Sequence, residues 1–91
     1  MPACEYMNKQ FCNMLVELRQ KHFPGKSLEE LPQELIIYFG LDYAKLIGQY
    51  ENGRMPECSC FVQRFKPAYS LSDDECLGLL ELYEKAGGMC C

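Results

Sequence analysis

The sequence predicts an all-α fold, a compact bundle of about five short helices, and three observations carry that expectation. Apolar residues recur at three- and four-residue spacing in several segments, no segment alternates with period two, and Pro, Gly and capping residues separate the segments. No internal repeat is present, and 91 residues suffice for one core, so residues 1–91 are read as a single domain with its core over about 8–86.

Each element has its own signal. From about Glu5 to His22, Met7, Phe11, Met14, Leu15, Leu18 and His22 fall at helical spacing, and Pro24-Gly25 ends the first helix. Ser27-Leu28-Glu29-Glu30 has the form of a capping box, but Pro32 would break any helix begun there, so residues 27–31 are expected to form a single turn. Pro32 instead opens a second helix through Gln33, Glu34, Leu35, Ile36 and Phe39, which Gly40 terminates. A third helix runs from Tyr43 to Asn52 with Leu46, Ile47 and Tyr50 on one face, Asp42 as its cap and Gly53 as its stop. Pro56-Glu57 opens a fourth, which buries Phe61, Val62 and Phe65 and is expected to close at Pro67. Ser72-Asp73-Asp74-Glu75 is the strongest start signal. It combines a capping box with acids at the positive end of the helix dipole, and Leu71 is placed to staple against Cys76. The fifth helix carries Cys76, Leu79, Leu80 and Tyr83 inward as far as Gly87-Gly88, and the tail 88–91 is expected to fray.

Composition narrows the function classes. Hydrophobic residues at 48% and charged residues at 24% exclude a disordered or low-complexity chain. The longest apolar run, Leu35 to Phe39, is far too short for a membrane span. Met1-Pro2-Ala3-Cys4-Glu5 has neither a basic stretch nor a following apolar one, so a cytoplasmic location is expected, and with it seven reduced thiols or a metal site rather than a disulfide scaffold. The net charge of −4 is uneven: residues 1–26 and 45–66 are basic, and residues 27–44 and 67–91 are acidic. An acidic total argues against indiscriminate coating of nucleic acid and leaves room for a local basic face.

The stretch from Gln33 through Leu35, Phe39-Gly40-Leu41 and Ile47 to Glu51-Asn52-Gly53-Arg54 resembles the helix-turn-helix of the phage-repressor/Cro (Xre-type) family, with the unit over about 32–53. Phe61 to Leu82 is similar to that family's last two helices. Ile36 departs from the pattern, standing where the family keeps a small residue, and the turn after Gly40 is one residue longer. The resemblance implies a lambda-repressor-like bundle and a sequence-specific DNA-binding regulator that reads the major groove with helix 43–52. The partner it implies is double-stranded DNA, bound as a homodimer on a palindromic site.

On that reading Tyr43, Ala44, Lys45, Gly48 and Gln49 face the groove. Gln49 would pair bidentately with adenine, Lys45 with guanine acceptors, and the Ala44 methyl would touch a thymine methyl. The resemblance further implies phosphate contacts from Gln33, Asn52 and Arg54. Leu77 and Leu82, outside the inward stripe of the last helix, are the candidate dimer surface.

Other readings of the same residues are weaker. Cys58-Ser59-Cys60 with Cys90-Cys91 supplies four thiols, but the spacing is poor for zinc, so no metal or other cofactor is expected. His22, the sole histidine, is better placed to cap or pack the end of the first helix than to catalyse, and Asp73-Asp74-Glu75 is explained by its helix start. Nothing has the form of an enzyme active site. Most aromatics fall on inward faces, leaving Tyr38, Tyr43 and Tyr69 as candidate surface rings. The alternative function is a protein-interaction module whose acidic faces at 29–34 and 73–84 meet a basic partner.

Overall fold

In the computed structural model, which describes residues 3–88, α1 spans Ala3–His22, α2 Ile36–Phe39, α3 Tyr43–Glu51, α4 Ser59–Gln63, α5 Phe65–Tyr69 and α6 Asp73–Lys85. Single 3-10 turns at Leu28–Glu30 and Gln33–Leu35 precede α2, and no strand occurs among the described residues. The side chains of residues 3–8, Met7 included, and most of the tail expected to fray, residues 89–91, lie outside the described part. The fold is therefore the all-α bundle the periodicity predicts. Its radius of gyration of 12.3 Å is that of a chain packed round one core.

Two helices form the frame. α1 lies along α6 and also supports α3, while α4 packs on α6 as well. Phe11, Leu15, Leu35, Ile47, Tyr50, Val62, Phe65, Tyr69 and Leu79 are fully buried between them. Phe65 is the hub of the aromatic packing, with ring centroids 4.8 Å from Phe39, 5.1 Å from Tyr69 and 6.3 Å from Tyr50. Tilted and edge-to-face contacts of this kind add to what burial alone contributes.

Local signals explain most element ends. The Ser72 hydroxyl accepts from the Glu75 amide at 3.1 Å and the Glu75 carboxylate accepts from the Ser72 amide at 2.9 Å, closing the predicted box at the start of α6. Leu71 and Cys76 are both buried, as the staple requires. In the turn at 27–31, the Glu30 carboxylate accepts from the Ser27 amide at 2.9 Å. Gly40 ends α2 at φ +87°, a conformation that costs any L side chain, and its amide donates to the Ile36 carbonyl at 2.8 Å.

Several expectations need correction. Pro67 does not close the fourth helix. The ladder breaks at Arg64, and Pro67 falls in the first turn of α5, where its missing N–H is not needed, so the helix continues to Tyr69 and ends on left-handed Ser70 at φ +55°. Asp42 sits at the start of α3 without a side-chain capping bond. Phe61 is half-buried rather than core, its outer face covered by the Arg64 guanidinium 4.4 Å from the ring centroid. Tyr69 is fully buried, not a surface ring, because it fills the space between Phe23 and Phe65, and Tyr38 is half-buried. Leu82 packs against the core while Leu77 stays 58% exposed, because α6 is flanked by both α1 and α4 and its buried face is wider than a single stripe.

Candidate nucleic-acid interface

The region around α3 is built from the inside outward. Ile47 and Tyr50 anchor α3 in the core, and the Cys12 thiol donates to the Tyr50 carbonyl at 3.1 Å, tying the middle of α1 to the end of α3. Burial raises the Cys12 pKa, so it is a packed thiol rather than a reactive one. A stronger tie lies beside it. Arg19 donates through Nε to Glu51 Oε2 at 2.8 Å and through Nη2 to Glu51 Oε1 at 3.1 Å, and its Nη1 donates to the Lys26 carbonyl at 2.9 Å. Both side chains of this bidentate pair are nearly buried, with 13% and 7% exposed. Arg19 thus fixes α3 and the chain after α1 at one point.

The turn is pinned by Tyr43. Leu41, which follows Gly40, is 83% exposed, and Tyr43 takes the inward place instead, with its hydroxyl donating to the Leu31 carbonyl at 3.2 Å. The inward position thus falls two residues after Leu41. Tyr43 therefore cannot face a groove. Ala44 is half-buried against the core, and Gly48 lies under the turn at 28–30, where an added Cβ would stand 3.0 Å from Leu28 Cδ1. These three residues of the predicted reading face are packing residues, and the glycine admits the close approach of Leu28.

What faces outward is a narrower stripe. Leu41, Asp42, Lys45, Gln49 and Asn52 are exposed, with Leu41, Lys45 and Gln49 four residues apart. Asp42, Lys45 and Gln49, with Phe39, Leu46 and Arg54, line an open groove of about 250 Å³. Lys45, Gln49 and Arg54, singled out in the sequence, are thus brought together. Gln33 is exposed at the start of the preceding 3-10 turn and is not part of the groove. Asn52 donates from Nδ2 to the Gly48 carbonyl at 2.7 Å, closing the end of α3 and committing one of its two amide protons.

Arg54 is not an open cation. Its Nη1 donates to Gln49 Oε1 at 2.6 Å, its Nη2 to Glu57 Oε1 at 2.5 Å, and its guanidinium lies 5.7 Å from the Tyr50 ring centroid. The Glu57 carboxyl sits below its usual pKa, through a backbone hydrogen bond first and Arg54 second, and burial pushes the Tyr50 hydroxyl up to about 12. Sequence reasoning missed Glu57 and Asp42 as members of this surface. The three-residue spacing from Arg54 to Glu57 was the available signal for the first.

Other candidate sites resolve simply. His22 Nε2 lies 3.2 Å from Glu75 Oε1, and Lys21 pairs with the same carboxylate at 2.8 Å, so the end of α1 is clamped to the start of α6. Among the described residues no group of three or more His, Cys, Asp or Glu is placed to hold a metal ion. Cys60 is disulfide-bonded, contrary to the expectation of reduced thiols throughout, and so is not a thiolate ligand, while Cys90 and Cys91 lie outside the described residues. No helix among the described residues is long and apolar enough to cross a membrane. No family model, curated protein or solved structure matches the chain.

Proposed function

We propose that this chain is a sequence-specific DNA-binding regulator that sets α3 in the major groove, acts as a homodimer in the cytoplasm and is not an enzyme. The observation that supports this most is the outward stripe of Lys45 and Gln49 with Arg54 at its end. Lys45 and Gln49 are side chains suited to base edges, on a short helix whose opposite face is locked into the core, and Arg54 just beyond the helix is bonded to Gln49. The bidentate Arg19–Glu51 pair adds the rigidity that base reading needs. Leu77, exposed on α6, is the candidate dimer contact, and Leu77→Ser is expected to lower the sedimenting mass to that of a monomer.

Selection from a random duplex pool at about 50 mM salt, where phosphate attraction is strong, tests the proposal. Recovery of an inverted repeat is expected, and failure to enrich any sequence counts against it. A second reading has its own support. Ile37 and Leu41, 78% and 83% exposed, adjoin acidic Glu34 and Asp42, a surface suited to a basic protein partner with an apolar contact. That reading takes precedence if no duplex is retained.

A further inference from the structure

We infer that Arg54 is a positioning residue that turns the Gln49 amide so that it offers hydrogen-bond donors to a base edge, and that the site therefore selects guanine rather than adenine opposite Gln49. The inference rests on the DNA-binding reading and makes it specific.

A guanidinium has donors and no acceptor, so the Gln49 atom 2.6 Å from Arg54 Nη1 is its carbonyl oxygen. The guanidinium is itself held, by Glu57 Oε1 at 2.5 Å on its other nitrogen and by the face of Tyr50. Glu57 thereby keeps Arg54 directed at Gln49 and offsets its charge, which makes Arg54 a poor phosphate anchor.

Bidentate recognition of adenine needs the glutamine oxygen for the N6 amino group and the glutamine nitrogen for N7, both turned to the base. Here the oxygen is anchored towards Arg54, and adenine N6, itself a donor, would have to share it with a cation. The free end of the amide is Nε2 with two N–H groups. Guanine, which presents the adjacent acceptors N7 and O6, accepts those groups without leaving a donor facing a donor. Lys45, one helical turn earlier and exposed, is donor-only as well. The stripe as a whole therefore seeks acceptors.

The test uses the intact chain and the duplexes it selects. Gln49→Ala identifies the base pair that depends on Gln49, and the base found there is expected to be guanine. Replacing it with 7-deazaguanine, which lacks the N7 acceptor, is expected to weaken binding about tenfold, the usual size of one lost specific contact. Arg54→Met frees the amide and is expected to shift the preference at that pair towards adenine by about tenfold, with the salt dependence of binding unchanged. A phosphate anchor would instead lower the salt slope by about 0.9 and weaken all sequences alike. Side-chain amide resonances of Gln49 in the free protein provide a readout without DNA, since losing the 2.6 Å contact must move them. Sequence-selective binding with adenine opposite Gln49, or with a preference that Arg54→Met leaves intact, overturns the inference alone. Absence of binding to any duplex overturns the DNA reading and the inference together.

Discussion

Breaking the Arg19–Glu51 pair with Glu51→Gln is expected to cost the fold several kcal/mol, far more than an ordinary surface ion pair. The geometry sets the magnitude. Both side chains are nearly buried, the contact is bidentate at 2.8 and 3.1 Å, and Arg19 also donates to Lys26 O. The guanidinium stays charged when its partner is removed, because arginine does not deprotonate in the range where proteins fold. A cation left in that site loses its counter-charge and regains little water, a situation that costs about 3–5 kcal/mol, whereas exposed pairs contribute about 0–1 kcal/mol. For a chain of 91 residues, total stability of about 5–14 kcal/mol follows from typical per-residue values, so the loss would be a large share of it. Urea unfolding followed by circular dichroism measures it. With a slope of about 1–2 kcal/mol/M, the midpoint should fall by about 1.5 M or more. The double variant Arg19→Met/Glu51→Leu should recover more than half of the loss, because removing both charges leaves nothing uncompensated. Single variants that each cost under about 1 kcal/mol, with additive effects in the double, would refute this account of how α3 is fixed.

Three further outcomes follow from particular contacts. The Tyr69 hydroxyl is buried without a hydrogen-bond partner, whereas Tyr83 donates to the Pro56 carbonyl at 2.7 Å. Tyr69→Phe should therefore be neutral or stabilising by about 1 kcal/mol and Tyr83→Phe destabilising by about 1 kcal/mol or more, a contrast read by denaturant midpoints. Ser70 is the one non-glycine residue with positive φ among those described, so Ser70→Gly should relieve about 1 kcal/mol and raise Tm by about 4–8 °C in calorimetry. Glu75 has its pKa lowered to about 2 from 4.5, first by Lys21, then by the Ser72 amide and His22. A depressed carboxylate stabilises the fold above its unfolded pKa and loses that effect as pH falls, so stability should decline between about pH 4.5 and 2, and Glu75→Gln should flatten that decline in urea titrations.

The parts of the fold that were legible in the sequence are those set by neighbours along the chain. The box at Ser72–Glu75 and the stop at Gly40 depend on local hydrogen bonds and backbone conformation, which residue types specify. The outward face of α3 was legible only in part. Leu41 and Tyr43 are both apolar enough to serve as the inward pin after the turn, and which one does so depends on the turn's length and on the Leu31 carbonyl that receives the Tyr43 hydroxyl. Gly48 looked like an open position on a polar face until Leu28, twenty residues earlier, was placed over it. Arg54 was legible as a charge and not as a charge already engaged, since its link to Gln49 closes only when the chain folds back after Gly53. Pro67 misled because a proline reads the same at the end of one helix and in the first turn of the next.

The most direct test of the central claim is fluorescence anisotropy of the protein with a selected duplex, titrated at about 50 mM and about 150 mM salt, for the parent chain and for Lys45→Ala/Gln49→Ala. Saturable binding is expected at both salt concentrations, with a drop of at least tenfold in the double variant on that duplex and little change on a scrambled one. Equal affinity of parent and double variant for the two duplexes, or no binding at the lower salt, would contradict that claim and make the outward stripe of α3 an ordinary solvated face.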